Sequence, residues 1–128
     1  MNRIVLDASA ILAILYREPG ANKLTVDLLD QAVVSTVNLA EVQGKLVGDG
    51  WSPRDAWEDA RSPAGHIAPF SVEQAEIAGA LIAQTRHLGL SLGDRACLAL
   101  ALDLKAPVYT ADRSWKGLSV GVSVHIIR

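Results

Sequence analysis

Four carboxylates stand at comparable places along the 128-residue chain. Asp7 follows the aliphatic run Arg3-Ile4-Val5-Leu6 and precedes the helix-forming run Ala8–Tyr16. Glu41 falls early in the helix expected after a second apolar run, Ala32-Val33-Val34-Ser35. Asp94 is expected to open a helix whose segment Cys97–Leu102 is apolar on every side. Asp112 comes just after the run Pro107-Val108-Tyr109-Thr110. Open parallel sheets bind ligands outside the carboxyl ends of their strands, and each of these acids is expected there. Carboxylates gathered within a few ångströms cannot all stay ionised without compensation by protons, cationic side chains or a metal ion. Oxygen ligands alone select Mg2+ or Mn2+ over zinc or copper.

Such an ion keeps several waters. One of them can be deprotonated into a nucleophile while the ion neutralises a phosphate oxygen, which suits in-line hydrolysis of a phosphodiester. Each acid also has a plainer local reading. Asp is a favoured N-cap, and acids interact well with helix N-termini. Glu41 lies three residues after Asn38, as in a capping box. The joint pattern is more informative than any one member. Asp7, between two strongly apolar runs, is the hardest to explain as a cap alone.

The elements that must position these acids are legible in outline. Strands are expected at Arg3–Leu6, Ala32–Ser35 and Pro107–Thr110, with a last one at Val122–Ile127 and a short extended segment at His66–Phe70. Helices are expected over Ala8–Tyr16, ended by Pro19-Gly20, then over Ala21–Leu29, about Val37–Val47 and Pro53–Arg61. Ser71-Val72-Glu73-Gln74 has the form of a capping box, and its helix should run to about His87 with Gly89 as the stop. Strands alternating with helices imply parallel strands and right-handed crossovers. The expected fold is a three-layer α/β/α sandwich with a mainly parallel central sheet, a single domain spanning 1–128. Strand order and the direction of the last strand are left open.

Composition excludes several classes. Half of the residues are hydrophobic and 20% are charged, unlike a disordered chain. The one cysteine, Cys97, excludes a disulfide framework and a zinc site built on several thiolates. Charge-free stretches reach only 11 residues, too short for a membrane helix, and no signal peptide is legible, so a cytoplasmic protein is expected. The net charge of −2 hides an asymmetry: residues 1–85 hold 6 Lys/Arg and 11 Asp/Glu, whereas 86–128 hold 6 and 3. The last third is therefore basic. Arg86, Arg95, Arg113 and Lys116 are its candidate phosphate contacts, with surface solvation as the alternative. Trp115 could stack on a base or pack in the core.

Four blocks carry a family resemblance. Arg3-Ile4-Val5-Leu6-Asp7-Ala8-Ser9-Ala10 resembles the opening strand and first acid of PIN domains. Ser35-Thr36-Val37-Asn38-Leu39-Ala40-Glu41 resembles their second block, and Leu90–Ala101, with the form S-x-G-D-x-x-C-L-A-L-A, their third. Tyr109-Thr110-Ala111-Asp112-Arg113-Ser114-Trp115 resembles the fourth. The third and fourth blocks are most similar to VapC-type toxins of bacterial toxin–antitoxin pairs. The resemblance implies a Mg2+- or Mn2+-dependent endoribonuclease with Asp7, Glu41, Asp94 and Asp112 as its acidic quartet. Asp7 and Asp94 would hold metal directly, and Glu41 and Asp112 directly or through water. Ser9 and Thr110, each two residues from an acid, fit a supporting role. The resemblance also implies an RNA substrate, a homodimer and inhibition by a cognate VapB-like antitoxin.

Other chemistries find less support. His66, His87 and His125 are dispersed, so no acid–base histidine pair is marked. Cys97 lies in an apolar run and reads as core. Ser9 lacks the G-x-S-x-G setting of a hydrolase elbow. A haloacid-dehalogenase-type phosphatase would show D-x-D at Asp7, where residue 9 is Ser, and a receiver-like phospho-acceptor would show adjacent acids. A non-catalytic interaction domain, with the acids acting as caps, is the remaining alternative.

Overall fold

The computed structural model describes residues 2–128. Five short strands form one sheet: β1 (Ile4–Leu6), β2 (Ala32–Ser35), β3 (His66–Ala68), β4 (Val108–Thr110) and β5 (Val124–Ile126). Their spatial order is β3-β2-β1-β4-β5 and every pairing is parallel, which settles the direction of the last strand. Register pairs Val5 with Val33 on one side and Val108 on the other, and Thr110 with Ile126.

Alternation along the strands divides the core. Ile4, Leu6, Ala32 and Val34 face a cluster built with α1 (Ala8–Leu15), α3 (Thr36–Gly48) and α4 (Pro53–Ala60). Val5, Val33 and Val108 face the opposite cluster, with Cys97, Leu98 and Leu100 of α7 (Leu92–Leu104) and with Trp115. Successive strand residues point to opposite faces, so a three-residue strand buried on both sides feeds both layers. This is the expected α/β/α sandwich. Trp115 is 1% exposed and belongs to the core, which removes it as a base-stacking surface.

Three element boundaries differ from expectation. The stretch expected as one helix over Ala21–Leu29 is a 3-10 turn, Ala21–Lys23, followed by α2 (Val26–Asp30), because the Thr25 hydroxyl caps Leu28 N–H and restarts the chain. The helix expected to reach His87 divides into α5 (Val72–Ala80), α6 (Ile82–Thr85) and a 3-10 turn, Arg86–Leu88. Thr85 donates its hydroxyl proton back to the Leu81 carbonyl at 2.8 Å, a bond that bends helices. Helix α7 begins at Leu92, not at Asp94. Ser91 is its N-cap and Asp94 the third residue of a reciprocal capping box.

The chain order places β1 between β2 and β4, so crossovers leave β1 on both sides. Above the carboxyl ends of β1 and β4 this opens the switch-point crevice where such sheets take their ligands.

Candidate active site

Asp7 caps α1 at the end of β1, accepting a hydrogen bond from Ala10 N–H at 2.8 Å. Ser9 donates to its two carboxylate oxygens at 2.8 and 2.9 Å, and Thr110, at the end of β4, donates at 2.6 Å. The same hydroxyls accept from the chain beyond β4: Ala111 N–H reaches Ser9 Oγ at 2.9 Å and Asp112 N–H reaches Thr110 Oγ1 at 3.0 Å. Ser9 and Thr110 thus fix one carboxylate and join the ends of β1 and β4. Asp7 is only 3% exposed. Burial raises its carboxyl pKa from 3.8 to about 6, against the hydrogen bonds from Thr110, Ala10 and Ser9 and with a further push from Asp94. Thr110→Val keeps the shape and removes the largest of the opposing bonds. It is expected to move Asp7 above about 6 in a carbon-13 titration of the side-chain carboxyl; an unchanged or lower value would contradict this account.

Glu41 is held from α3. Asn38 donates from Nδ2 to Glu41 Oε1 at 2.8 Å and to the Gly93 carbonyl at 3.0 Å, tying α3 to the first turn of α7. Ser35, at the end of β2, is the N-cap of α3, so Asn38 sits inside the first turn and not at the cap. Gly93 is the cradle for the Glu41 carboxylate: a Cβ at residue 93 would overlap all three carboxylate atoms. Burial raises the Glu41 pKa, Asn38 opposes the rise and Asp94 adds to it.

Asp94 is half-buried and turns Oδ2 back to Ser91 N–H at 3.0 Å. Asp112, also half-buried, caps a 3-10 turn, Arg113–Trp115, through Ser114 N–H at 2.9 Å. Capping is therefore a real role for Asp7, Asp94 and Asp112. It does not account for the charge. Cys97, buried one turn along α7, has its thiol pushed well above the usual range by burial and then by the combined negative charge of Asp7, Asp94 and Glu41. Those three acids therefore act on one buried thiol, Asn38 and Gly93 bringing Glu41 to the first turn of α7 that carries Asp94, and a thiol in that field is inert. Asp112 is tied to Asp7 through its backbone, its N–H bonding to the Thr110 hydroxyl that donates to Asp7, while its carboxylate accepts from Ser114 N–H.

Among the described residues no Lys, Arg or His side chain is ion-paired with these acids. The ion pairs among the described residues are Lys45–Asp49 and Arg128–Glu18, neither of which includes the quartet. The donor set is oxygen only and suits a hard divalent cation. As placed, no three His, Cys, Asp or Glu side chains among the described residues stand close enough together to hold a metal ion. Asp94 spends one carboxylate oxygen on Ser91 N–H.

The cations divide. Arg113 lines a cleft with Ser9 and Asp112. Lys116 lies exposed just beyond it, and Arg86 lies exposed on the 3-10 turn after α6. Arg95 does not fit the expected phosphate role: its guanidinium donates to the Ala78 carbonyl of α5 at 2.8 Å and is half-buried there. Its position on α7 turns it toward the neighbouring helix. His125 is exposed and stacks on Tyr109, with ring centroids 4.7 Å apart. Three residues at the site were not singled out for it from sequence: Asn38, Gly93 and Arg128. In the sequence Asn38 reads as a possible capping partner of Glu41, and Gly93 as one position of the third block. Arg128 follows an apolar strand, and the carboxyl end of a parallel strand lies on this rim.

The chain matches the PIN domain over residues 4–120. No curated protein sequence matches it. Solved structures share its fold at low identity. VapBC2 from Rickettsia felis, bound to a DNA fragment from its promoter, is 18% identical with a TM-score of 0.73, covering 98% of each chain. DNA-bound VapBC from Salmonella typhimurium is 16% identical with a TM-score of 0.75, covering 100% of each. Mycobacterium tuberculosis VapC20, described as a sarcin–ricin loop cleaving toxin, is 19% identical with a TM-score of 0.73, covering 94% of this chain and 98% of that one. By the extent of the match and the four acids at its sheet edge, the chain belongs to the PIN domain family.

Proposed function

We propose that this chain is a metal-dependent endoribonuclease toxin that hydrolyses RNA phosphodiester bonds and is neutralised by a cognate VapB-like antitoxin. The observation that carries the reading is the placement of Glu41 against the first turn of α7 beside Asp94, near the buried Asp7 at the end of β1, with no ion pair to any of them among the described residues. The similarity to VapC20 and to two VapBC assemblies supports the toxin and antitoxin parts. A cytoplasmic homodimer belongs to the same reading. Among the described residues no helix is long and apolar enough to cross a membrane.

Asp7, Asp94, Glu41 and Asp112 are the residues that would hold Mg2+ or Mn2+. When bound, such an ion supplies charge neutralisation at a phosphate and an activated water. The chain's own part is positional. Ser9 and Thr110 lock the Asp7 carboxylate at the strand ends. Asn38 holds Glu41 toward α7, and Gly93 leaves room for it. Burial of Asp7 excludes water from one side of the site and strengthens its attraction for a cation.

Asp7 as a covalent phospho-acceptor is less well supported. Residue 9 is Ser where a haloacid-dehalogenase-type site carries a second Asp, and no acid adjoins Asp7 as in a receiver-like site. The deciding experiment is RNA cleavage by purified protein with and without divalent ions. Cleavage in Mg2+ or Mn2+, abolished by EDTA and restored by adding either ion back, is the expected result. Equal cleavage in excess EDTA would overturn the metal role, and an aspartyl-phosphate on Asp7 would replace this reading with the phospho-acceptor one.

A further inference from the structure

Two clefts beside the acids share a wall. The first, of about 510 Å3, is lined by Ser9, Pro19, Ala111, Asp112, Arg113 and Arg128. The second, of about 520 Å3, is lined by Arg113, Lys116, Val124, Ile126 and Arg128. Arg113 and Arg128 belong to both, so a groove leads from Asp112 over the 3-10 turn to the end of β5. Among the residues that line its second half there is no Asp or Glu.

Arg128 is built into this groove. Ile127 N–H bonds to the Thr110 carbonyl at 2.9 Å and continues the parallel ladder past β5. Gly20, at φ +91°, lets the Ile127 carbonyl come so close that a Cβ there would overlap it. Beyond this anchor, Arg128 Nε donates to the Ala111 carbonyl at 3.1 Å, and Nη1 lies 3.5 Å from Glu18. Ala111 is the residue between Thr110 and Asp112, and its own N–H is bonded to Ser9. The guanidinium is thereby fixed one residue from an acid of the quartet, with a third of its side chain still open to solvent. Arg113 Nε reaches the Arg128 carbonyl at 3.4 Å, and Lys116 is exposed and outside the ion pairs described above.

We propose that Arg128, Arg113 and Lys116 form a phosphate track that carries the RNA strand away from the acids on the β4–β5 side. The inference deepens the ribonuclease reading and rests on it. A polyanion cannot approach four uncompensated carboxylates unless its flanking phosphates are neutralised nearby. These cations are placed to do that without entering the acid cluster. On the α7 side of the site, Arg95 turns one guanidinium nitrogen to the Ala78 carbonyl of α5.

The test is the salt dependence of binding of a short single-stranded oligoribonucleotide, measured by fluorescence anisotropy in EDTA so that cleavage does not intervene. Each phosphate contact on a single strand contributes about 0.7 to the slope of log K against log salt. Arg128→Gln, Arg113→Gln and Lys116→Gln are each expected to reduce the slope by about 0.7 and the triple variant by about 2. Arg128→Lys should retain the slope. Lys105→Gln, at the opposite end of α7, should leave it at the parental value. Unchanged slopes in the three Gln variants, or an equal loss in Lys105→Gln, would overturn the track even if the parent cleaves RNA in Mg2+. If the parent does not cleave RNA but the slopes fall as expected, the track stands and the ribonuclease reading fails. Loss of a polyglutamate peptide without loss of RNA would assign the groove to an acidic peptide and overturn the proposal.

Discussion

Asp7→Asn is expected to lower Mg2+-dependent RNA cleavage by about a thousandfold or more, the factor that about 4 kcal/mol of barrier represents. The fold should survive. Asn still caps α1 through its side-chain oxygen, and the Ser9 and Thr110 hydroxyls can rotate to accept from its amide. Stability should move in the direction opposite to activity. The Asp7 carboxyl is raised from 3.8 to about 6 in the folded chain. A group raised in this way contributes stability that is complete below its unfolded value and lost as pH climbs through its folded value. For Asp7 the loss runs from about pH 4 to just above pH 6 and amounts to about 3 kcal/mol. Asp7→Asn has no such charge to bury. In EDTA near pH 7.5 it should therefore melt above the parent, and near pH 4 the difference should vanish. Mg2+ at a thousand times Kd should restore the order, because only the parent gains the binding free energy, about 4.1 kcal/mol there, which exceeds the loss of about 3 kcal/mol. A variant that cleaves at the parental rate would remove Asp7 from the site. A variant that melts below the parent in EDTA at neutral pH would show that its carboxylate is structural.

The four acids were legible because strand ends and helix starts are punctuated in the chain: Leu6-Asp7-Ala8 passes from an aliphatic run through one acid into a helix. The layers followed from alternation of strands and helices. Strand order did not, because three-residue strands buried on both faces carry no period that names their neighbours. The supporting contacts were legible only where they are local. Ser9 and Thr110 lie two residues from an acid, yet both hydroxyls meet at Asp7, a convergence that depends on β1 pairing with β4. Asn38 looked like the capping partner of Glu41; its second bond, to Gly93 on another helix, is a product of packing. Adjacency to Asp94 predicts Arg95 at the site, but neighbours on a helix point about 100° apart, and its side chain runs to α5. Arg128 was missed for the converse reason: it is remote in sequence from the acids and reaches their rim only because β5 is parallel to β4.

Gly93→Ala should separate stability from activity more cleanly than removal of any acid. Residue 93 is the second residue of α7, and Ala is favoured over Gly in a helix by about 1 kcal/mol. Its Cβ would fall on the Glu41 carboxylate. That carboxylate is the end of a flexible side chain on an exposed residue, so it can swing into water without disturbing α3 or α7. The departure breaks the Asn38 bond at 2.8 Å, which costs about 0.5–1.5 kcal/mol and offsets the helix gain. Net stability should stay within about 1 kcal/mol of the parent in urea unfolding. Cleavage should fall by about 10–100-fold, the range for groups that position metal ligands. The Glu41 pKa should drop toward the ordinary carboxylate range, because burial is the largest cause of its rise. The three readouts are linked by one displacement. Parental cleavage with a lowered Glu41 pKa would mean that the carboxylate had moved and was not needed there, and Glu41 would leave the site. Parental cleavage with an unchanged pKa would mean that the cradle yields to a methyl group and Gly93 has no part in placing Glu41.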